Sequence, residues 1–155
     1  MTKHFMGRGV FIALRPNIFG HENEHVTLEY LGHDPSIWNM REAIKKWHDQ
    51  FAGLPVTVAV NGYANWSAKN DYHNIALIEF REYPDISYIK NWHITLESSR
   101  SPLRPYQFDR DEDAFRYDYC DRLWIGYKDA VTKEKKWIEP HNAKHLVKAM
   151  EEANG

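Results

Sequence analysis

Apolar and polar residues alternate with a period of two in several short stretches of this chain, and with a period near 3.6 in two longer ones. Val10 to Leu14 is a mostly apolar run closed by Arg15-Pro16. It predicts a strand, because proline removes a ladder donor and ends the pairing. His25 to Glu29 and His93 to Glu97 alternate strictly and are rich in β-branched residues, so both predict strands. Gly32-His33-Asp34-Pro35 predicts a turn into a helix, with Asp34 as N-cap and Pro35 in the first helical position. Ile37, Met40, Ile44, Trp47 and Phe51 then form one apolar stripe, and Gly53 is placed to end the helix.

Val56 to about Ala64 and Asn74 to Phe80 predict a hairpin, joined by the polar loop Ser67 to His73. A turn of helix is expected at Asp85 to Lys90, and a long irregular loop from Ser98 to Asp118. Tyr119 to Tyr127 reads as one strand that turns through Asp129 to Lys133 and returns as Glu134 to Ile138. A helix of about a dozen residues closes the chain, with Ala143, Leu146, Val147 and Met150 on its buried side. The fold class expected from these elements is α+β, with two antiparallel β units around a central cleft and helices outside, in a single domain spanning residues 1–155.

One stretch occurs twice. His25-Val26-Thr27-Leu28-Glu29 returns 68 residues later as His93-Ile94-Thr95-Leu96-Glu97. In a strand, His and Thr two apart share a face, while Val26 with Leu28 and Ile94 with Leu96 point the other way, into a core. Each copy therefore offers an imidazole beside a hydroxyl. Two histidines can supply both the base that activates a nucleophile and the acid that protonates a departing oxygen. The hydroxyls of Thr27 and Thr95 can donate to non-bridging phosphate oxygens, where charge builds in the transition state. Without a metal the chemistry needs a nucleophile or leaving group already in position, which a ribose 2′-hydroxyl or a strained cyclic phosphate provides.

On these residues the sequence resembles the 2H phosphoesterases, named for two His-x-Thr/Ser motifs on paired strands of a pseudo-twofold fold. Gly9-Val10-Phe11-Ile12-Ala13-Leu14 is similar to that family's first strand. The motif spacing and the short chain look closest to the small phage-encoded branch that degrades cyclic oligonucleotide immune signals, the anti-CBASS phosphodiesterases. The resemblance implies a hydrolase of phosphoric diesters with His25, Thr27, His93 and Thr95 as catalytic residues, no cofactor and no metal. It implies a small nucleotide or cyclic oligonucleotide as partner; a cytoplasmic location, the host's if the gene is a phage's, is the default for a sequence without a signal-peptide h-region. Family members usually carry a helix between the first strand and the first motif, and the ten residues Arg15 to Glu24 hardly leave room for one.

Composition narrows the partners. With 155 residues, 43% hydrophobic and 27% charged, the chain is in the ordinary globular range. A net charge of −2 does not favour long nucleic acid or an anionic membrane, and no apolar run is long enough to span a bilayer. Cys120 is the single cysteine, so no intramolecular disulfide forms. No feature fixes the oligomeric state, and a monomer is the default. Aromatics reach 14%, and Phe11, Tyr63 and Trp66 are candidates for contacts with a base. Arg100 and Arg104 follow the second motif closely enough to clamp a phosphate, Arg100 being the nearer. Asp121 and Tyr127 would share a face with Leu123 and Ile125 and are further candidate contacts.

Two other readings stay open. One is a binding module on the same fold that captures a nucleotide without cleaving it; another substrate for the enzyme reading is the 2′,3′-cyclic phosphate at RNA ends. His21-Glu22-Asn23-Glu24-His25 also matches H-E-x-x-H, but that pattern holds zinc only on a helix, where residues four apart share a face. Gly20 before it and Val26-Thr27 after it argue against a helix. His141 and His145, one turn apart near the end, read as a polar helix face.

Overall fold

The computed structural model describes residues 4–52 and 54–139. Gly53 and the expected closing helix, with His141 and His145, lie outside the described residues. Along the described chain run β1 (Arg8–Leu14), β2 (Val26–Gly32), α1 (Ile37–Gln50), β3 (Val56–Ala68), β4 (Asp71–Phe80), α2 (Pro84–Ser87), β5 (His93–Ser99), α3 (Arg110–Asp113), β6 (Tyr117–Cys120), β7 (Trp124–Lys128) and β8 (Lys135–Ile138). The strands form two four-stranded sheets, ordered β2-β1-β7-β8 and β5-β4-β3-β6. Two compact units result. One comprises the described parts of 1–15, 27–55 and 121–155, the other Pro16–Val26 and Val56–Cys120. The two β units of the α+β expectation are present. The helical share is small among the described residues, with one 14-residue helix and two single turns. None of these helices is long and apolar enough to cross a membrane.

In the first unit β1 is interior to its sheet, and Val10 to Leu14 are all buried, which is why that run is nearly continuous in apolar residues. All five residues of the α1 stripe are buried, each contributing roughly 1.5–3 kcal/mol. The helix is tied to β2 by the Trp47 indole, which donates to Glu29 at 2.9 Å, and by the Lys46–Glu29 ion pair.

The cap differs from the expectation. Asp34 is in the left-handed region at φ 47°, and its carbonyl lies 2.9 Å from His4 Nδ1. The Pro35 carbonyl accepts from Phe5 N at 2.9 Å. A cap needs an extended backbone, which left-handed Asp34 lacks and Ser36 has at φ −68° and ψ 143°, so capping passes to Ser36, whose hydroxyl accepts from Asn39 N at 3.1 Å.

The second unit is built on the β3–β4 hairpin, and here the expected loop is absent. Strand pairing continues through Asn65↔Asn74, Trp66↔His73, Ser67↔Tyr72 and Ala68↔Asp71. Lys69, at φ 55°, makes the tight turn. The polar residues that read as loop are exposed or half-buried ladder positions. Val56, Val58, Val60, Ile75, Ile78 and Phe80 form the core of this sheet with Ile94. At its base Glu82 accepts from Thr57 N at 2.6 Å and from the Thr57 hydroxyl. The α2 turn is shorter than the expected Asp85 to Lys90, and α3 adds a helical turn inside the segment expected to be irregular.

The stretch Tyr119 to Tyr127 is not one strand. Its first part belongs to β6, which pairs with β3 through Val56↔Cys120 to Ala59↔Tyr117. Its last part is β7, which pairs with β1 in the other sheet. Between them Asp121 is exposed and hydrogen bonded to Arg122 at 2.9 Å, and Arg122 also reaches Glu139 at 2.6 Å. The β7–β8 hairpin follows as expected, with Val131 N and Thr132 N donating to Asp129 in the turn. Those two backbone bonds hold the Asp129 carboxyl down at about 2.

Candidate active site

The first motif opens β2, an end strand of the first sheet. Val26 and Leu28 are fully buried, while His25 and Thr27 are half-buried, as the alternation requires. No helix precedes it. Residues Pro16 to Glu24 run as coil and turns around the buried carboxylate of Glu24. That carboxylate accepts from Ile18 N at 2.6 Å, Phe19 N at 3.0 Å and His21 N at 3.4 Å. Glu24, which sequence reasoning passed over, is the residue that folds this connection. The H-E-x-x-H match therefore sits on a turn, and His21 and Glu22 are exposed loop residues. Among the described residues no three His, Cys, Asp or Glu side chains converge as a metal site requires.

The second motif opens β5, an end strand of the second sheet. Ile94 is buried, His93 half-buried and Thr95 exposed. Leu96 does not enter the core. A register shift pairs Ile75 with Thr95 and Asn74 with Glu97, leaving Leu96 in a bulge and half-exposed. The motif's final acid is structural in both copies. Glu29 holds Trp47 and Lys46, and Glu97 accepts from the buried amide of Asn74 at 2.6 Å.

The two histidines are held alike. His25 Nδ1 lies 2.7 Å from the Asn23 carbonyl, and His93 Nδ1 lies 3.0 Å from the Asn91 carbonyl. A carbonyl can only accept, so in each ring Nδ1 carries the proton and Nε2 is the basic nitrogen of the neutral form. Asn23 adopts φ 62°, a left-handed conformation that asparagine tolerates better than most residues. The repeat is thus longer than five residues: N-x-H-[VI]-T-L-E in both places. Asparagine two residues before each histidine was visible in the sequence and was missed.

The remaining candidates fall in several places. Trp66 lies against the second histidine, its ring centroid 4.5 Å from that of His93 at an interplanar angle of 62°. Tyr63 is on the same strand, with its hydroxyl donating to buried Asp113 at 2.9 Å. Burial, together with that carboxylate, pushes its phenol up to about 12. Burial acts to raise the Asp113 carboxyl, but bonds from Asp109 N, Tyr63 and Arg116 hold it below the usual carboxylate range.

Arg100 lies beside the hairpin tip with Lys69 and Asn70, and Asp121 lies in the link described above. Arg104 contributes its carbonyl, which accepts from Asn74 at 2.9 Å. Phe11 and Tyr127 are buried in the first unit, edge-on to Trp137 at 5.6 Å and to Phe5 at 4.9 Å. Arg15, read only as a strand terminator, stacks its guanidinium 4.9 Å from the Trp124 ring and 4.3 Å from the Trp137 ring. Burial there lowers its pKa.

No family model matches the sequence, and no curated protein matches it. Among solved structures the chain is similar to E. coli LigT complexed with phosphate, at 12% identity and a TM-score of 0.50, over 86% of this chain and 95% of that one. At that identity the likeness is one of fold.

Proposed function

We propose that this chain is a metal-independent phosphodiesterase of the 2H type, in which His25 and His93 act on one phosphodiester as an acid–base pair. The observation that supports this reading best is the matched tethering of the two rings by Asn23 and Asn91, which gives both histidines the same tautomer. One neutral ring takes a proton at Nε2 from the attacking hydroxyl as its oxygen bonds to phosphorus. The other, protonated at Nε2, delivers its proton to the oxygen that leaves as the second P–O bond breaks. Thr27 and Thr95 donate to the non-bridging oxygens and stabilise the charge that builds there. The substrate class is a cyclic nucleotide or cyclic oligonucleotide, in which a ribose hydroxyl or a strained ring supplies a group already in place. Breakdown of a cyclic oligonucleotide immune signal, as in the phage anti-CBASS enzymes, is the role that fits a small and slightly acidic chain.

A hydrolysis screen over cyclic dinucleotides, cyclic trinucleotides, nucleoside 2′,3′-cyclic phosphates and short RNA tests this, run with and without EDTA. Turnover of a cyclic substrate that survives EDTA is the expected result. A ligand that binds and is recovered intact by mass spectrometry would make the chain a binding module. Inactivation by EDTA that zinc reverses would move the chemistry to His21, Glu22 and His25.

A further inference from the structure

The second unit contains a cavity of about 300 Å3 that holds none of the four motif residues, at the lower end of the size that small ligands fill. Its sides are Phe19, His21, Tyr63 and Tyr106, and Leu96 reaches it from the β5 bulge. The polar atoms of this frame are engaged with one another. The Tyr63 hydroxyl and the Arg116 guanidinium both bond Asp113, Tyr106 donates to Glu97, and the Arg116 guanidinium lies 5.4 Å from the Phe19 ring centroid. Arg116 covers Phe19, and Tyr63 meets Tyr106 edge to face at 5.7 Å between centroids, so the ring surface left to a ligand is chiefly that of half-exposed Tyr106. The carboxylate of Glu112 and the amide of Gln107 also line the cavity, and neither side chain has a partner among the described residues. Asp109, Glu112 and Asp113 outnumber Arg116 and His21 along the lining, and Arg116 is already paired with Asp113, so the cavity does not favour a phosphate.

From this arrangement we infer that the cavity is a nucleobase subsite that selects guanine. A base is the part of a nucleotide that stacks on aromatic faces and carries no charge. Guanine alone among the common bases presents two adjacent N–H donors, at N1 and N2, beside the O6 acceptor. A carboxylate accepts both donors at once, and a primary amide can donate to O6. Adenine and cytosine each offer one amino donor flanked by a ring-nitrogen lone pair that the carboxylate repels. Uracil offers one N–H between two carbonyls. The inference rests on the phosphodiesterase reading only in taking the base to be part of the substrate.

Calorimetric titration of the full chain with guanosine 5′-monophosphate and adenosine 5′-monophosphate isolates the base, since the phosphate is common to both. Guanosine monophosphate should bind at least about tenfold tighter, the scale of one good bidentate pair. Glu112 is exposed, so Glu112→Gln should keep the fold and circular dichroism spectrum while erasing most of that preference. Tyr106→Ala should weaken both ligands together. Equal affinity for the two nucleotides, no binding of either, or a preference untouched in Glu112→Gln would overturn the subsite. Guanine preference without hydrolysis of any diester would leave the subsite standing and remove the enzyme. Hydrolysis without guanine preference would do the reverse.

Discussion

The two copies of the motif reach the same local geometry by different means. In both, the residue just before the histidine is buried and fixes the approach to the strand, but Glu24 does this in one copy and Trp92 in the other. Glu24 gathers three backbone N–H groups of a connection with no regular structure. Trp92 packs on Phe80 at 5.4 Å and donates its indole N–H to the Ile86 carbonyl at 2.9 Å, closing the α2 turn behind it. A charged acceptor and an aromatic anchor thus end in the same tether, a histidine Nδ1 on an asparagine carbonyl. The common features are those that acid–base chemistry needs, and the variable ones are those that only have to hold a chain end in place.

The largest expected effect treats the copies as equals. Replacing either His25 or His93 by Ala should lower kcat by a factor on the order of 100 or more, with substrate affinity changed far less. A folded single variant with near-full turnover would break the equivalence. Next, the two approaches should respond to different losses. Glu24→Ala removes several bonds to a buried charge and should cost about 2 kcal/mol or more, while Trp92→Phe loses one neutral bond, about 1 kcal/mol, and adds the cost of the cavity that the smaller ring leaves. Equilibrium urea denaturation measures both losses, and a Glu24→Ala loss well below about 2 kcal/mol would deny the charged acceptor its special role.

A smaller effect concerns the ring beside His93. If Trp66 positions that imidazole, Trp66→Leu should lower kcat several-fold and leave KM nearly unchanged. A rise in KM at constant kcat would instead assign Trp66 to substrate stacking.

The last of this series is a pH effect. The Asp113 carboxyl is held below its unfolded value, so its contribution to stability is present above pH of about 4 and is lost as pH falls through the folded value. Protonation would release Arg116, which stacks on Phe19 of the first copy's approach. Acid should therefore loosen the connection to His25 before it disturbs β5, read as faster amide exchange at Phe19 than at Ile94. Asp113→Asn should flatten the acid limb of the melting temperature. An unchanged limb would show that other carboxylates set it.

Much of the fold was legible because its signals are local. The α1 stripe, the apolar run of β1 and the alternation in β2 and β5 follow from periodicity within a few residues. The β3–β4 hairpin was legible only at its buried end, since toward Ala68 and Asp71 the strands emerge into solvent and lose the alternation. The division of Tyr119 to Tyr127 between two sheets could not be read, because which strand a segment pairs with depends on distant residues. The Leu96 bulge depends likewise on the register of β4. For the site, the repeated histidine and threonine were plain, and the asparagine tether was equally plain once the repeat is extended by two residues. Glu24 is a variable position of the H-E-x-x-H match and drew no reading of its own. Only its three backbone donors reveal a buried anchor.

If His25 and His93 form one catalytic unit, the double variant will show it. On whichever cyclic substrate the wild type cleaves, kcat should be measured for His25→Ala, His93→Ala and the two combined. Groups that act as a unit are strongly non-additive, so the double variant should be about as slow as the slower single one. Losses that multiply, with each histidine contributing independently of the other, would contradict the account.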